Sequence, residues 1–236
     1  MVNQLPIRPG VFASYGNGWR KMWKYFLELL LVLVVSFLLG LPSIALYAER
    51  AGEWLGRTFA IDLILIRMEG PGALLIVSFI YMILLEWPLE YGVKYISLRA
   101  ARGDRFVVKN MFDVFKNYTN AVLANLLVTL IVAAGFVLLI IPGIIFACKL
   151  AFVPYLIVDR RMEAVAAVKE SWRMTRGHAF KVFLIGFLAF FVGLLGLIVF
   201  GVGVIISIIW IRLAFASLYV AVEASKLPAT TAEQPR

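Results

Sequence analysis

Four ionisable residues lie deep inside long apolar runs of this sequence, away from the run ends that hold the other charges, and they are the side chains best placed to do chemistry: Glu86, Glu90, Lys149 and Arg212. A charge at bilayer depth costs about 2.5–3.5 kcal/mol on insertion scales, so it is kept for pairing or for function. Lys149 precedes Asp159 by ten residues, which is about 15 Å of helix and places it near a membrane midplane. Arg212 occupies the matching place in the last run, and Glu86 lies 13 residues before Arg99, also deep at about 1.5 Å per residue. Glu90 and Lys94 follow at i,i+4 intervals and can pair along one helix face. In one reading, Glu86 or Glu90 neutralises Lys149 and Arg212 across helices and fixes how the helices pack. In the other, Lys149 and Arg212 line a polar cavity that receives an anionic headgroup or solute. Either way, at least one of Glu86 and Glu90 is expected to contact Lys149 or Arg212, directly or through water.

Other chemistries lack their residues. There is no Ser/His/Asp set, no metal-ligand cluster and no phosphate-cradling glycine motif, so neither catalysis nor a cofactor is expected. One histidine, His178, cannot build a His-based metal site, and one cysteine, Cys148, cannot form an intramolecular disulfide. The net charge is +9, but Lys and Arg gather beside the ends of apolar runs instead of forming a basic face with interleaved aromatics. Nucleic acid is therefore not an expected partner.

The elements that must carry these charges follow from composition. Of 236 residues, 63% are hydrophobic and 16% charged, where a soluble domain carries about a quarter charged. Such a chain cannot cover itself with polar surface, and lipid must serve as much of its solvent. Runs of spanning character fall at about 25–47, 73–97, 121–141, 144–158, 179–200 and 202–222. Pro142-Gly143 is expected to break the helix between the third and fourth runs, and Gly201 and Gly203 between the fifth and sixth. The expected fold is all-α and polytopic: one domain of six transmembrane helices over 25–222, with a cytoplasmic leader (1–24) and a disordered cytoplasmic tail (223–236). The leader is long and polar and its apolar run spans, which favours an uncleaved signal anchor over a secretory signal.

Basic residues set the orientation. The leader holds four, the stretch around runs two and three six, that around runs four and five six and the tail two, against three (Arg50, Arg57, Arg67) on the other side. Both termini are thus expected in the cytoplasm. The sizeable outer loop, 48–72, places Trp54, Leu55, Phe59, Leu63 and Ile66 at helical spacing, as in an amphipathic surface helix or a lid over a substrate path.

The chain also resembles itself. Trp19-Arg20 leads to Gly40 and Trp172-Arg173 to Gly193, with 21 residues from Trp to Gly in each, and Phe115-Lys116 leads to Gly135 one residue sooner. Lys149-Leu150-Ala151-Phe152 matches Arg212-Leu213-Ala214-Phe215. Three hairpin units result, each opening with a short interfacial amphipathic helix. The units enter from the same side, unlike the inverted repeats of many carriers. Interfacial lipid contact is expected at Trp19, Arg20, Phe115, Lys116, Lys169, Trp172, Arg173 and Arg176, with aromatics at headgroup level and basic groups toward anionic phospholipid. The competing reading makes these segments elbows that orient the hairpins. Gly186, Gly193 and Gly196 are expected to be helix-packing contacts.

The second half carries a family likeness. Pro142-Gly143, the span Lys149 to Asp159, and Ala166-Ala-Val-Lys-Glu-Ser-Trp-Arg-Met-Thr-Arg-Gly177 resemble the multi-pass membrane domain found fused to glycerophosphodiester phosphodiesterases, akin to YciC-type bacterial inner-membrane proteins. The likeness is best over 109–222. It implies a helical protein of the bacterial cytoplasmic (inner) membrane. This sequence has neither the length nor the histidines of the soluble phosphodiesterase barrel, so hydrolase activity is not implied. The expected function is a non-enzymatic membrane protein that binds or organises lipid, in support of envelope homeostasis. The alternatives are a small transporter component using the midplane charges, and an anchor for a partner protein. Protein partners and homo-oligomers stay open.

Overall fold

The computed structural model describes residues 9–55, 76–77, 79–198 and 202–226. Among them every regular element is helical. We label the elements α1 (Val11–Lys24), α2 (Phe26–Leu55), α3 (Trp87–Arg102), α4 (Tyr118–Leu138), α5 (Ile140–Leu150), α6 (Val153–Asp159), α7 (Ala164–Met174), α8 (Ala179–Ile198) and α9 (Val202–Lys226). A single π turn, Met82–Glu86, leads into α3, and a 3₁₀ segment, Val108–Asn117, leads into α4.

Four helices among the described residues are long and apolar enough to cross a membrane: Val108–Leu138, Ile140–Asp159, Ala179–Ile198 and Gly203–Lys226. A fifth span results if α1 and the start of α2, which meet at a 91° bend, are one broken helix. The spans differ in what surrounds them. Half of the most apolar window of α9 is buried against protein and 44% of that in α5–α6, but 17% in α4 and in α8. α4 and α8 therefore turn most of their surface outward, which an apolar side chain tolerates when the solvent is lipid. α9 is the inner post. It packs on α1, α8 and α3, and Leu213, Ala214, Ala216, Leu218 and Tyr219 on it are fully buried.

Several boundaries differ from expectation. α2 continues as helix through Pro42 to Leu55, so the helix enters the stretch expected to be an outer loop; the rest of that loop's amphipathic pattern lies outside the described residues. The supposed leader contains α1, whose Ser14, Tyr15, Asn17 and Met22 are buried. α9 runs to Lys226, so residues 223–226 are structured; the remainder of the tail lies outside the described residues.

The breaks between paired helices also sit elsewhere. Leu139 is extended, at φ −170° and ψ 157°, and α5 starts at Ile140. Pro142 and Gly143 thus fall in the first turn of α5, where a missing N–H costs nothing. Gly143 has a packing role: a Cβ there would lie 2.5 Å from the Phe136 ring. Its partner Gly135 is as tight, with Gly143 Cα at 2.9 Å from its own would-be Cβ. α4 and α5 can cross closely because neither carries a side chain at the crossing. Between α8 and α9 the close approach belongs to Gly196, whose would-be Cβ meets the Gly203 carbonyl at 2.8 Å. Gly203 itself is helical; Gly201 lies outside the described residues. A Cβ added at Gly186 would come only into ordinary contact with Phe215, at 3.9 Å, and one at Gly193 would meet open space, so Gly193 does not serve packing among the described residues.

Candidate functional site

The stretch Ser171–Gly177 repairs a break in its neighbour. Between α5 and α6 the helix ladder fails at Ala151–Phe152, just before Pro154 in the first turn of α6; the proline itself has no N–H to give to the Leu150 carbonyl four residues back. A backbone carbonyl left bare there is costly in an apolar interior. The Ser171 hydroxyl donates to the Lys149 carbonyl at 2.8 Å and accepts from the Phe152 N–H at 3.3 Å. The Thr175 hydroxyl, whose single proton lies closest to the Ser171 carbonyl at 2.9 Å, also comes within 3.2 Å of the Lys149 carbonyl. Both side chains are fully buried. Gly177 then turns the chain out of α7 at φ +79°, a conformation that favours glycine.

Next to this joint, three helix ends converge on one ion network. Arg102 closes α3, Asp159 closes α6, and Glu223 lies in the last turn of α9. The Arg102 guanidinium donates both Nη groups to the Asp159 carboxylate, at 2.6 and 2.7 Å, and Nη2 also reaches Glu223 at 2.7 Å. Arg160 donates to the other Glu223 oxygen at 2.8 Å, and the Tyr219 hydroxyl to Asp159 at 3.1 Å. These carboxylates hold the Arg102 charge, raising its pKa above the ordinary value, with the Asp159 hydrogen bonds the largest cause. Arg160 is raised too, chiefly by Glu223. Helix C-termini carry partial negative charge, so the two guanidiniums also suit the backbone there. Sequence reasoning counted Arg102 and Arg160 as topology markers and did not anticipate this network. The signal that could have found it is the recurrence of acid and base at the ends of three second helices.

The four intramembrane residues are not gathered into one cluster. Glu90 pairs with Lys94 at 2.9 Å along α3. Arg212 is half-buried on α9 and, with Ser97 and Val93 of α3, lines a void with room for about one water. It lies within electrostatic range of Glu90 and Tyr155, but no ion pair within 4 Å joins it to Glu90 among the described residues. Glu86 sits in the π turn, and its carboxylate approaches Gly40 of α2. Lys149 departs most from expectation. Its ammonium stands 5.4 Å from the centre of the Trp172 ring, a cation–π contact with α7. The lysine stem reaches along its helix to the aromatic residue of the crossing segment, where the charge can approach water.

The interfacial residues expected to contact lipid are spread over three short segments. On α1, Trp19 is 41% exposed, edge-on to Trp23 and Trp210, with Arg20 exposed beside it. On the 3₁₀ segment, Phe115 stacks between Phe112 and Tyr118, and Lys116 pairs with Asp113 at 2.6 Å. On α7 and the turn after it, Lys169 and Arg176 are exposed, Arg173 pairs with Glu170 at 2.8 Å, and Trp172 packs on Phe146. The inner faces are as distinct. Met111, Val114, Ala167, Ser171 and Met174 are buried, so the 3₁₀ segment and α7 are pressed against the bundle with Lys116, Lys169 and Arg173 turned away, whereas α1 buries Lys21 along with Tyr15 and Met22.

No group of three or more His, Cys, Asp or Glu among the described residues could hold a metal ion. Neither the curated proteins nor the solved structures include a significant match. Residues 94–234, well over half of the chain and spanning the repaired joint and the ion network, match the family described as Domain of unknown function (DUF7847), and the chain belongs to that family.

Proposed function

We propose that this chain is a non-enzymatic, multi-pass membrane protein that binds or organises anionic phospholipid at headgroup level. It crosses six times as three hairpin units, with both termini in the cytoplasm. The resemblance noted above favours a bacterial inner membrane and a role in envelope homeostasis. The observation that carries the reading is the rim. Three short segments turn exposed cations outward beside aromatics: Arg20 with exposed Trp19, Lys116 with exposed Phe112, and Lys169, Arg173 and Arg176 with the half-buried Trp172. A basic-aromatic band flanking outward-facing apolar helices is what an anionic membrane surface attracts.

The crossings support the three-unit reading. The 3₁₀ segment meets α3 where a Cβ at Gly92 would overlap the Met111 carbonyl. α7 meets the α5–α6 joint around Ala151 through Ser171. α1 meets α9 at Ala214, whose nitrogen lies 3.2 Å from a would-be Cβ on Gly18. Each opening segment thus crosses the second helix of a different unit at a small residue, and the units close on one another cyclically.

The test is lipid retention by the full chain. Native mass spectrometry from detergent should show anionic phospholipid held by the wild type. Replacing Lys169, Arg173 and Arg176 together by Gln should strip most of it, and unchanged retention would leave these segments as elbows.

A further inference from the structure

A polar cavity of about 190 Å³ opens between α3, the 3₁₀ segment and the end of α6. Its walls include Tyr95, Asp113, Lys116, Asn117, Asp159 and Arg161. Two carboxylates and two cations therefore face one small space, and their formal charges cancel. Neither a simple anion nor a simple cation suits such walls, whereas a ligand bearing both signs does.

The walls are held in place, and they keep bonding capacity. Asp159 is fixed by Arg102 and Tyr219, and Asp113 by Asn110 and Lys116. A carboxylate has about four acceptor sites, so both acids retain some. Lys116 uses one of its three protons on Asp113. Arg161 makes no ion pair and no side-chain hydrogen bond among the described residues, although Asp113 is within electrostatic range. Its backbone lies at φ +49°, the one non-glycine residue among those described at positive φ. Side chains rarely adopt that conformation, and it persists where the surroundings impose it, often at binding sites. Here it separates consecutive arginines: Arg160 turns to Glu223 and Arg161 turns to the cavity.

Size and composition narrow the ligand. A volume of about 190 Å³ is the scale of a headgroup and not of a whole lipid. A quaternary ammonium is recognised by several aromatic faces, and Tyr95 alone among the lining residues is aromatic. A primary ammonium, with three protons to donate, fits paired carboxylates.

We propose that this cavity binds a phosphoethanolamine group, its phosphate on Lys116 and Arg161 and its ammonium on Asp113 and Asp159. The proposal rests on the reading above only in placing this end of the bundle at headgroup level. The group could belong to a membrane lipid or to a free solute, and experiment separates the two.

The full chain, purified in detergent, is offered equal amounts of phosphatidylethanolamine, phosphatidylcholine and phosphatidylglycerol and examined by native mass spectrometry. One phosphatidylethanolamine should be retained in preference to phosphatidylcholine. Arg161→Gln and Lys116→Gln, both at exposed residues, should each lower that retention about tenfold or more, as expected for losing a charged hydrogen bond. Phosphatidylglycerol retention should be unchanged by Arg161→Gln, which lies outside the rim; Lys116 belongs to the rim, so its variant is read for phosphatidylethanolamine alone. Circular dichroism confirms that the variants are folded. Stabilisation of lipid-free protein by phosphoethanolamine would indicate a solute source, and stabilisation by the lipid alone a lipid source. Equal retention of the three lipids with no response to phosphoethanolamine would overturn the proposal, as would wild-type retention in both variants. Loss of phosphatidylglycerol binding in the wild type, with ethanolamine preference intact, would sink the rim reading and leave this one standing.

Discussion

At the scale of single residues, Asp159 ties two helices together: it takes both arms of Arg102 and the hydroxyl of Tyr219. Asp159→Asn removes the charge and one acceptor while Arg102 stays 27% exposed. Breaking a fully buried pair costs about 3–5 kcal/mol, and partial exposure should reduce this to roughly 1–3 kcal/mol. Thermal unfolding in detergent should show the loss, and Arg102→Met on top of it should add less than it costs alone, because the guanidinium is no longer held. Ser171→Ala should be comparably costly, about 1–3 kcal/mol, since a buried carbonyl and a buried N–H both lose its hydroxyl. Lys149 behaves differently. Its contact is the Trp172 ring, so Lys149→Met should cost about 0.5–2 kcal/mol. A double-mutant cycle with Glu90→Gln should give coupling below about 0.5 kcal/mol. Strong coupling there would restore the cross-helix pair expected from depth alone.

At the scale of elements, glycine decides how near two helices come. Gly143 and Gly135 face each other across the α4–α5 hairpin, and Phe136 and Phe146 fill the space beside them. Gly143→Val must push Phe136 or the neighbouring backbone aside. Overpacking of this kind costs typically about 1–3 kcal/mol, and its signature would be a lowered melting temperature with helical content unchanged. Gly193→Ala is the control, because nothing lies within 4 Å of the added methyl; it should be neutral or slightly stabilising. Equal effects from the two would mean that the α4–α5 crossing is looser than described.

At the scale of the whole molecule, inner α9 and outer α4 and α8 differ in how much of their apolar surface is covered by protein and how much is left facing outward. Topology is tested directly. In a Cys148→Ser background, single cysteines replacing Arg105 or Lys169 should label from the cytoplasmic side, and one replacing Arg57 from the opposite side. Outside labelling at position 169 would defeat the proposed orientation and the rim with it. The depth of the rim is read from Trp172, which should be quenched by lipids brominated high in the acyl chain; quenching by deep labels alone would place α7 inside the bundle.

The sequence by itself determined the solvent and the elements. Apolar runs of spanning length are a one-dimensional property, so the long helices of the second half were legible, as were the three aromatic-basic openings. Spacing along a helix also paired Glu90 with Lys94 correctly, since i,i+4 neighbours meet whatever else the chain does. Tertiary structure decided whatever depends on two segments meeting. Equal depth did not bring Lys149 to a carboxylate, because depth fixes height along a helix and says nothing of its rotation. The break before α5 fell at Leu139 and not at Pro142-Gly143, since proline is tolerated in a first turn and the glycine was needed for close crossing. Arg102, Asp159 and Glu223 are separated by 57 and 64 positions in the chain; their meeting follows from three helices ending at one face, which no local pattern encodes.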